Sequence, residues 1–439
     1  MPPQVSVILG YRKAANQQFW MPKRFVRSLN MTRLRERANL AAIEGLLVSD
    51  PVLTGIESAE QAMGLPRSTV LTSGPTMPFR SYTGGQRAAI IGGALYEGLA
   101  SDEIAAAAAF DRGDIAVRGC QEFGCVGSLA GVTTASMPVL VVADSRTGEQ
   151  AYCTLYEGDS VDRLNYGTYT EATRNNLEDL RLRIAPALNS LIDAQTEPLR
   201  LKPIMSRSLT MGDELHSRNA AATLLFLRRL LTGAKQVGPE LVTALESLCD
   251  DYFFLRLSMA ASKVMSNAMR GYDDSSVVTA MAFSCAEFGI QTSGTGDAWF
   301  TGPLPTFDDY RLEPGYDADD IEFMGGESII TEVVGLGGLA QAAGLPLHRS
   351  SGRDVSLMIA RTTAMYEVTV TESPDFLIPV LNYRGTPLGL DVEKIVERPD
   401  HTPFLDIGIA GRSGRQIGGG VARAPLAPFR KACDALNST

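Results

Sequence analysis

A long block of helical sequence lies between two regions rich in β-branched residues, and this order of patterns constrains the fold more than any other feature of the chain. Apolar residues recur at helical spacing through most of residues 170–271. On both sides of this block, short runs of Val, Ile, Thr and aromatic residues are separated by glycine-containing turns, as is typical of strands. The sequence therefore predicts an α+β fold with mixed sheets and a helical inserted subdomain.

The same patterns divide the chain of 439 residues into four regions, and 45% of the residues are apolar, which is enough to build a core in each larger region. The regions are an N-terminal arm with helices at 1–68, a first α/β domain at 69–169, the helical subdomain at 170–271 and a second α/β domain at 272–439. Predicted helices cover residues 38–47, 56–63, 86–97, 101–111, 171–194, 218–231 and 240–269, with a break near Pro186 in the fifth of them. Predicted strands cover residues 277–283, 288–292, 366–370 and 376–383, with a hairpin at 138–143 and 151–156.

The charge balance and the apolar runs argue against several classes of partner. The chain carries 40 basic and 50 acidic residues with no long run of Lys or Arg, which disfavours nucleic-acid binding because such binding depends on neutralised phosphates. Residues 123–143 carry no charge but are interrupted by glycines and a proline, which favours a buried loop leading into a strand over a membrane span. The first residues lack the pattern of a secretory signal, so we expect a cytoplasmic protein with no membrane partner.

No common motif of a metal or cofactor site occurs in the sequence. The six cysteines are scattered, and Cys120 and Cys125 do not have the spacing of a CxxC pair. The sequence contains no HExxH motif, EF-hand loop, P-loop or GxSxG motif, and its match to a dinucleotide-binding loop is poor. We therefore predict no metal and no cofactor, although Asp213 and His216 with a remote acid leave a metal site open.

The densest group of polar residues is the run SLTMGDELHSRNAA at residues 208–221, at the predicted start of a helix. It contains Asp213, Glu214, His216, Arg218 and Asn219. In a functional interpretation, His216 is a base that titrates near neutrality, because the helix dipole disfavours its protonated form while the neighbouring acids favour it. In a structural interpretation, Asp213 caps the helix and Glu214 pairs with Arg218 one turn later. The sequence leaves both interpretations open.

Four glycine-rich segments could bring backbone amides close to a ligand. They lie at residues 72–76, 292–303, 334–344 and 412–423 and are interleaved with Ser, Thr and Arg, which favours a small polar or anionic ligand. We predict that the first two segments meet in one cleft with the helix start at Asp213. Six acids also lie in apolar, glycine-rich surroundings, where an acid is either paired or functional, and most are expected to form structural salt bridges. These acids are Glu97, Glu157, Glu287, Asp297, Glu327 and Glu332.

Eight segments of the chain, spread in order over residues 71–420, carry a resemblance to one family. They are GGQRAAIIGGALYEGLA, VGSLAGVTTASMPVLVV, LTMGDELHSRNAA, DYFFLRLSMAASK, EFGIQTSGTGDAWFTGP, ESIITEVVGLGGLAQAAG, MYEVTV and GTPLGLDV. Together they resemble the YlbE/YahG-type family, which includes a subunit of the bacterial oxamate carbamoyltransferase. The resemblance implies a protein of α and β structure with a helical domain, carbamoyl-group chemistry and companion proteins.

The chain departs from this family's pattern at three places. GCQEFGCVG at residues 119–127 stands where the family usually carries a histidine-containing segment. Residues 283–286 stand where the family usually has Arg-Asn-Gly, and Gly411 stands where it has a histidine. Because the glycine scaffold is kept, we interpret the chain as a divergent member that either acts on another acceptor or has a changed chemistry.

The resemblance and the residues together predict an enzyme that moves a carbamoyl group between a small amide or amine and phosphate. Such transfer needs a base for the attacking nitrogen and donors for the phosphate and for the developing oxyanion. The predicted catalytic residues are His216, Glu214 and Glu287. The predicted substrate-binding residues are Ser73, Gly74, Asp213, Arg218, Asn219, Ser293, Gly294, Gly296, Asp297 and Glu332.

Two other functions stay open from the sequence. The chain could be a non-catalytic or partner-dependent subunit of a carbamoyl-transfer complex, which the lost polar residues favour, or a hydrolase or cyclase of a carbamoylated small molecule. The expected partners are a small-molecule substrate, with carbamoyl phosphate as a candidate, further copies of the chain in a homo-oligomer, and companion subunits.

Overall fold

The computed structural model describes residues 23–233, 246, 250–346 and 354–438, and it confirms the mixed α+β class. The strands are β1 (Pro51–Ser58), β2 (Thr69–Thr72), β3 (Ala116–Gly119), β4 (Pro138–Asp144), β5 (Gln150–Thr154), β6 (Leu199–Arg200), β7 (Val278–Phe283), β8 (Phe288–Thr292), β9 (Phe300–Gly302), β10 (Thr306–Leu312), β11 (Ile321–Glu322), β12 (Thr369–Ile378), β13 (Arg384–Leu390), β14 (Phe404–Gly411) and β15 (Gln416–Arg423). The helices are α1 (Lys23–Val48), α2 (Ala59–Met63), α3 (Gly84–Tyr96), α4 (Glu103–Arg112), α5 (Glu171–Asp179), α6 (Ala185–Asp193), α7 (Lys202–Thr210), α8 (Ala220–Gly233), α9 (Phe253–Asn267), α10 (Ile330–Val333), α11 (Val355–Met365), α12 (Val392–Glu397) and α13 (Leu426–Ser438).

The strands before and within the helical block form one antiparallel sheet and one parallel pair. The sheet has the order β5-β4-β1-β6, and the pair consists of β2 and β3, which α3 and α4 connect along the chain. The predicted hairpin is confirmed as β4 and β5, whose register runs from Val139 opposite Thr154 to Ala143 opposite Gln150.

The N-terminal region differs from the predicted arm with two short helices. In the described part, α1 is continuous over 26 residues, since no proline interrupts the chain between Pro22 and Pro51. The predicted helix at 56–63 is shorter, because the chain stays in β1 up to Ser58 and only then enters α2. Residues 56–58 belong to the strand and not to the helix because β1 pairs with β4 and β6. Such pairing depends on residues remote in sequence, so a local pattern does not reveal it.

The described part of the predicted helical block holds α5 to α9, together with the two-residue edge strand β6. The predicted break near Pro186 is absent, because a π-helical turn at Leu180–Ile184 joins α5 to α6 and Pro186 lies in the first turn of α6, where its missing N–H costs little. Helix α9 is almost entirely buried and contacts β1, β4 and β5. The first residues of the predicted helix at 240–269 lie largely outside the described residues.

After the helical block, the strands form three sheets with the orders β7-β8-β9, β10-β15-β14-β11 and β12-β13. The strands predicted at 277–283 and 288–292 are confirmed as β7 and β8. The antiparallel pairing of β10, β15 and β14 brings a glycine-rich strand to the centre of the second sheet. This sheet contributes one wall of the cavity described below.

The two remaining strand predictions are wrong in their boundaries. The strand predicted at 366–370 begins only at Thr369, because α11 and its C-cap occupy the preceding residues. The strand predicted at 376–383 is interrupted, because Asn382 and Tyr383 adopt φ angles of 54° and 59° and turn the chain into β13. The single strand β12 therefore includes parts of both predicted strands, and it forms a hairpin with β13.

One cluster of buried apolar residues joins these elements and extends from Ala42 in α1 to Leu436 in α13. It crosses the boundaries predicted between the four regions, and the division into domains stays a prediction. The charge-free residues 123–143 are mostly buried and lead into β4, as predicted. Within the described ranges, no helix combines the length and the apolar character needed to cross a membrane.

Candidate active site

A cavity of about 440 Å³ is lined by residues from both sides of the helical block. Its walls come from the loops at 128–129, 156–166 and 216–217, from the start of α9, and from β10, β14 and β15 with their adjoining residues. This volume lies in the range of small-molecule binding sites. His216 is the residue of the predicted polar run that contributes an ionisable side chain to it.

The loop that carries His216 connects α7 to α8 and is held at both ends. Gly212, with a φ angle of 105°, follows α7 and ends it. Asp213 accepts a hydrogen bond of 2.8 Å from an N–H group in the first turn of α8, and it pairs with Arg218. Leu215 has a φ angle of 70°, which is uncommon for a bulky residue. His216 therefore lies in a constrained loop before α8, and not in the first helical turn as predicted.

His216 is paired with a buried carboxylate. Its Nδ1 lies 2.9 Å from Oε1 and 3.1 Å from Oε2 of Glu332, whose side chain is 0% exposed. Glu332 also accepts hydrogen bonds from Thr331 Oγ1 at 2.8 Å, Gly338 N at 3.0 Å and Asp406 N at 2.9 Å. Because Glu332 occupies Nδ1, Nε2 is the ring nitrogen that remains for a ligand.

Gly337 makes this pairing sterically possible. It has a φ angle of 54°, and a Cβ there would lie 2.6 Å from Oε1 of Glu332 and 2.9 Å from Cβ of His216. Its N–H donates to Glu214 O at 2.8 Å, which connects it to the His216 loop. The glycine-rich segment at 334–344 was predicted to approach a ligand, and the structure shows that it supports the histidine and its acid.

The pKa of His216 reflects two opposing effects. Burial lowers it, but the nearby carboxyl groups of Glu332, Asp406 and Glu214 together outweigh burial and raise the pKa to about 8. His216 is therefore mostly protonated at pH 7 and loses its proton just above neutrality. A group that titrates in this range is suited to general acid–base catalysis.

Glu214, predicted as catalytic, lies behind the cavity wall. It is fully buried, and its Oε1 accepts hydrogen bonds from the N–H groups of Ser217 and Arg218. Its Oε2 has no hydrogen-bond partner among the described residues. Burial first, and the charge of Asp406 second, raise the pKa of Glu214 to about 8, so this acid is protonated at neutral pH.

Asp406 is the third acid beside His216, and it lines the cavity. Its Oδ1 accepts a hydrogen bond of 2.8 Å from Gln341 Nε2, while its backbone N–H donates to Glu332. Its carboxyl group lies close enough to His216 and Glu214 to raise the pKa of both. We refer to Glu214, Glu332 and Asp406 as the acid cluster.

Arg256 contributes a buried cation to the cavity. It lies on α9 and is 5% exposed, and its Nε and Nη1 have no hydrogen-bond partner among the described residues. Ser258 on the same helix donates to Leu215 O at 2.8 Å, which places α9 against the His216 loop. A buried guanidinium with unsatisfied donors is costly, so this arrangement favours binding of an anionic ligand.

Two further arginines, Arg163 and Arg311, line the cavity. Arg163 donates from Nη1 to Gly158 O at 2.8 Å, and its guanidinium carbon lies 4.3 Å from the ring centroid of Tyr166. Its Nε is buried without a partner in the described part of the chain. The cavity therefore combines a protonated histidine with arginines from three separate segments, which suits phosphate or carboxylate groups.

Glu157 shapes the wall that carries Arg163. It is buried and accepts hydrogen bonds from Leu164 N at 2.6 Å and Asn165 N at 3.2 Å. Burial raises the pKa of Glu157, and the nearby charge of Arg256 opposes this effect. Structural salt bridges were expected for most of the six acids in apolar surroundings, whereas Glu157 mainly holds the backbone of the cavity wall.

The glycine-rich segment at 412–423 is mostly strand β15 and not a loop. Gly418 and Gly420 line the cavity together with the glycine between them. A Cβ at Gly418 would lie 2.3 Å from Arg311 O, and one at Gly420 would lie 2.7 Å from Cβ of Tyr310. Side chains at these positions would clash with β10, so the glycines allow close strand packing and leave the cavity open.

The other residues of the polar run are engaged within the protein. Asp213 caps α8 and pairs with Arg218, so the structural interpretation is confirmed for Asp213, while the predicted pair of Glu214 and Arg218 side chains is replaced. Asn219 donates from Nδ2 to His216 O at 2.8 Å, which makes it a positioning residue. None of Asp213, Arg218 and Asn219 lines the cavity, in contrast to their predicted role in substrate binding.

Ser73 and Gly74, predicted to bind substrate, are also used internally. Ser73 Oγ donates to Gly127 O at 3.0 Å, and Gly74 N–H donates to Glu327 Oε1 at 3.2 Å. Glu327 accepts a second hydrogen bond, from Gly127 N at 2.8 Å. This buried acid joins two glycine-rich loops, and neither Ser73 nor Gly74 lines the cavity with His216.

The glycine-rich segments at 72–76 and 292–303 were predicted to meet in one cleft with Asp213. This cavity is not that cleft, because it is lined by neither segment and not by Asp213. Ser293 and Gly294 bond to backbone groups of residues 271–277, and Asp297 pairs with Arg270 at the surface. None of Ser293, Gly294, Gly296 and Asp297 lines the cavity.

Glu287, predicted as a catalytic residue, lies in the turn between β7 and β8. Its N–H donates to Ser284 Oγ at 3.1 Å, and its carbonyl accepts from Ser284 N at 2.9 Å. It does not line the cavity that His216 lines.

The arginines of the cavity and Asp406 were not predicted from the sequence. Arg256 lies in the run DYFFLRLSMAASK, and Asp406 lies in the strand FLDIGIAG, each as a charge in an otherwise apolar pattern. A charged side chain in a buried element must have a partner or bind a ligand, and this pattern could have identified Arg256 and Asp406.

A metal site finds no support in the described ranges, where no group of three or more His, Cys, Asp and Glu side chains is placed to hold an ion. The pair left open by the sequence is engaged elsewhere, since Asp213 contacts Arg218 and His216 contacts Glu332.

Comparison with known proteins gives one family match and several similar proteins. Residues 115–328 match the family model described as oxamate carbamoyltransferase subunit AllG. The chain is 34% identical over 412 residues to the oxamate carbamoyltransferase subunit AllG of Escherichia coli, covering 91% of this chain and 97% of that protein. It is 33% identical over 407 residues to the uncharacterized protein YahG of Escherichia coli, covering 90% and 84%. A crystal structure of a conserved protein of unknown function from Enterococcus faecalis superposes with a TM-score of 0.89 at 31% identity, covering 93% and 99%.

Proposed function

Because the chain belongs to the family of the oxamate carbamoyltransferase subunit AllG, we propose that it takes part in carbamoyl transfer and that the reaction occurs in the cavity lined by His216. The observation that carries this proposal is the pairing of His216 with buried Glu332 in a cavity that arginines also line. A base and a set of anion-binding groups are what transfer between a nitrogen and phosphate requires. Membership also confirms the family resemblance identified from the sequence.

In the proposed reaction, the nitrogen of a small amide or amine attacks the carbonyl carbon of carbamoyl phosphate. A C–N bond forms, the C–O bond to the phosphate breaks, and inorganic phosphate leaves with the bonding electron pair. His216 takes the proton that the attacking nitrogen loses, and Glu332 stabilises the resulting imidazolium. In the reverse direction, phosphate attacks the carbamoyl group and His216 returns the proton to the leaving nitrogen.

The arginines have two proposed roles. They hold the phosphate or carboxylate groups of the substrates, and they offset the charge that develops on the carbonyl oxygen in the transition state. Arg163 is already oriented by its hydrogen bond to Gly158 O and by the ring of Tyr166, which limits the entropy it loses on binding.

Arg256→Lys is expected to weaken binding of inorganic phosphate by about tenfold or more. Lysine keeps the positive charge, but its ammonium cannot reproduce the planar arrangement of unsatisfied N–H donors. Isothermal titration calorimetry measures the dissociation constant, and Arg80→Lys, in an exposed ion pair with Asp111, is the matched control. Unchanged phosphate affinity in a folded Arg256→Lys protein would contradict the assignment of Arg256 to the anion site.

The rate of the carbamoyl-accepting direction is expected to rise with pH and to level off above about pH 8. Only neutral His216 can accept a proton, and its pKa of about 8 leaves a minor neutral fraction at pH 7. The measurement is kcat/KM for the acceptor between pH 6 and 9 at saturating carbamoyl phosphate. A rate that falls with rising pH across this range argues against His216 as the base.

The direct test is incubation of the purified protein with carbamoyl phosphate and a panel of small amides and amines that includes oxamate. The residues at the three departures from the family pattern do not line the cavity, so the proposed change of acceptor is judged by the panel alone. Phosphate release that depends on the acceptor, with the carbamoylated product identified by mass, supports the proposal. No release with any acceptor, alone or with companion proteins, would refute it.

A second candidate is a subunit that acts only together with partners, since the similar Escherichia coli protein is named as a subunit of a carbamoyltransferase. Co-expression with proteins encoded beside it, followed by co-purification and the same assay, separates the two candidates. Activity of the chain alone favours the enzyme, and activity only in the complex favours the partner-dependent subunit. We further propose a cytoplasmic location and a homo-oligomer, which cell fractionation and light scattering test.

A further inference from the structure

The cavity wall beside His216 carries an acid that the mechanism above does not use. Asp406 lines the cavity from β14, and its Oδ1 is oriented by Gln341 Nε2 at 2.8 Å. Its backbone N–H donates to the carboxylate that holds His216. Asp406 therefore sits in a fixed position next to the proposed base.

Asp406 differs from Glu157 and Glu313, the other acids that line the cavity, because it lies beside His216. Glu332 is paired with His216, and Glu214 is buried without contact to the cavity, so Asp406 is the member of the acid cluster that lines it. The arginines are provided by other segments, namely the loop at 156–166, α9 and β10. A ligand that spans the cavity thus meets N–H donors from the arginines and a hydrogen-bond acceptor beside the base.

We propose that Asp406 is the residue that selects a nitrogen acceptor: its carboxyl group accepts a hydrogen bond from the N–H of the amide or amine that attacks, and it repels analogues with an anionic oxygen at that position. This inference rests on the proposed function, because it assigns the acceptor to the same cavity. With one N–H bonded to Asp406, the nitrogen presents its other N–H to His216, which removes that proton as the C–N bond forms. An oxygen anion at the same place loses the hydrogen bond and meets a like charge.

Oxamate and oxalate are suitable probes whichever small amide or amine the chain accepts, because they share a carboxylate and differ only in the group that Asp406 is proposed to distinguish. This group is an amide nitrogen in oxamate and an anionic oxygen in oxalate. Asp406→Asn keeps an oxygen acceptor for Gln341 and the shape of the side chain, but it removes the charge. Asp144→Asn is the matched control, since Asp144 is another buried strand acid, accepts backbone N–H groups and does not line the cavity.

The experiment measures the dissociation constants of both probes by isothermal titration calorimetry for the wild type and the two variants, with circular dichroism as a check of folding. We expect the wild type to bind oxamate at least about tenfold more tightly than oxalate, and Asp406→Asn to reduce this preference about tenfold or more. Asp144→Asn is expected to keep the wild-type preference. An unchanged preference in folded Asp406→Asn, a wild type without preference, or a wild type that binds neither probe would overturn the inference.

This test separates the inference from the proposed function. Discrimination of the probes needs no turnover, so a protein that discriminates through Asp406 but transfers no carbamoyl group refutes the proposed function alone. A protein that transfers the group with an unchanged preference in Asp406→Asn refutes the role of Asp406 alone.

Discussion

His216→Gln is expected to lower turnover by about two to four orders of magnitude with little loss of folding, the usual scale for removal of a positioned acid or base. Glutamine can keep one hydrogen bond to Glu332 but cannot accept a proton from the attacking nitrogen. The measurements are kcat in the acceptor direction and the thermal midpoint, both on the purified variant.

A structural role for His216 predicts the opposite pair of results. Loss of its contact with Glu332 would then destabilise the protein, while the remaining folded fraction would keep a normal rate. His401→Gln is the matched control, because His401 is a partly buried histidine that does not line the cavity. A normal rate per folded His216→Gln molecule would remove His216 from the mechanism.

Glu332→Gln is expected to reduce kcat by roughly two to four orders of magnitude and to move the rising limb of the pH profile to lower pH. The amide keeps an oxygen acceptor for the surrounding N–H groups but removes the negative charge of Glu332. This charge raises the pKa of His216 and opposes burial, which lowers it, so the pKa of His216 falls in the variant. The imidazolium formed during proton transfer then loses its nearest counter-charge. The measurement is kcat/KM against pH for both proteins.

The pH profile distinguishes this role from simple support of the fold. Glu332→Ala would leave several buried donors unsatisfied and is expected to destabilise the protein by a few kcal/mol, so it cannot answer the question alone. Glu97→Gln is a suitable control, since Glu97 accepts hydrogen bonds from the N–H and hydroxyl of Ser136 and does not line the cavity. A folded Glu332→Gln protein with an unshifted pH limb would contradict the proposed effect on His216.

Local sequence patterns predicted the elements that depend on neighbouring residues. The hairpin of β4 and β5, strands β7 and β8, and the buried loop before β4 follow from apolar spacing and turn residues, which act over a few positions. Elements that depend on remote partners were predicted less well. Strand β1 depends on its pairing with β4 and β6. The glycine-rich sequence of β15 is typical of a loop, and it forms a strand because β10 and β14 pair with its backbone groups on both sides.

The sequence by itself determined the mixed fold class and the family, because these follow from local composition and ordered segments. It also offered His216 as a candidate catalytic residue and Glu332 as a candidate substrate-binding residue. Tertiary structure alone decided that these two residues, 116 positions apart, form a pair, and that Asp213 and Arg218 serve α8. It also brought Arg256 and Asp406 to the same cavity. The physical reason is that burial forces a charged group to find a partner or a ligand, while the identity of that partner depends on chain packing far from it in sequence.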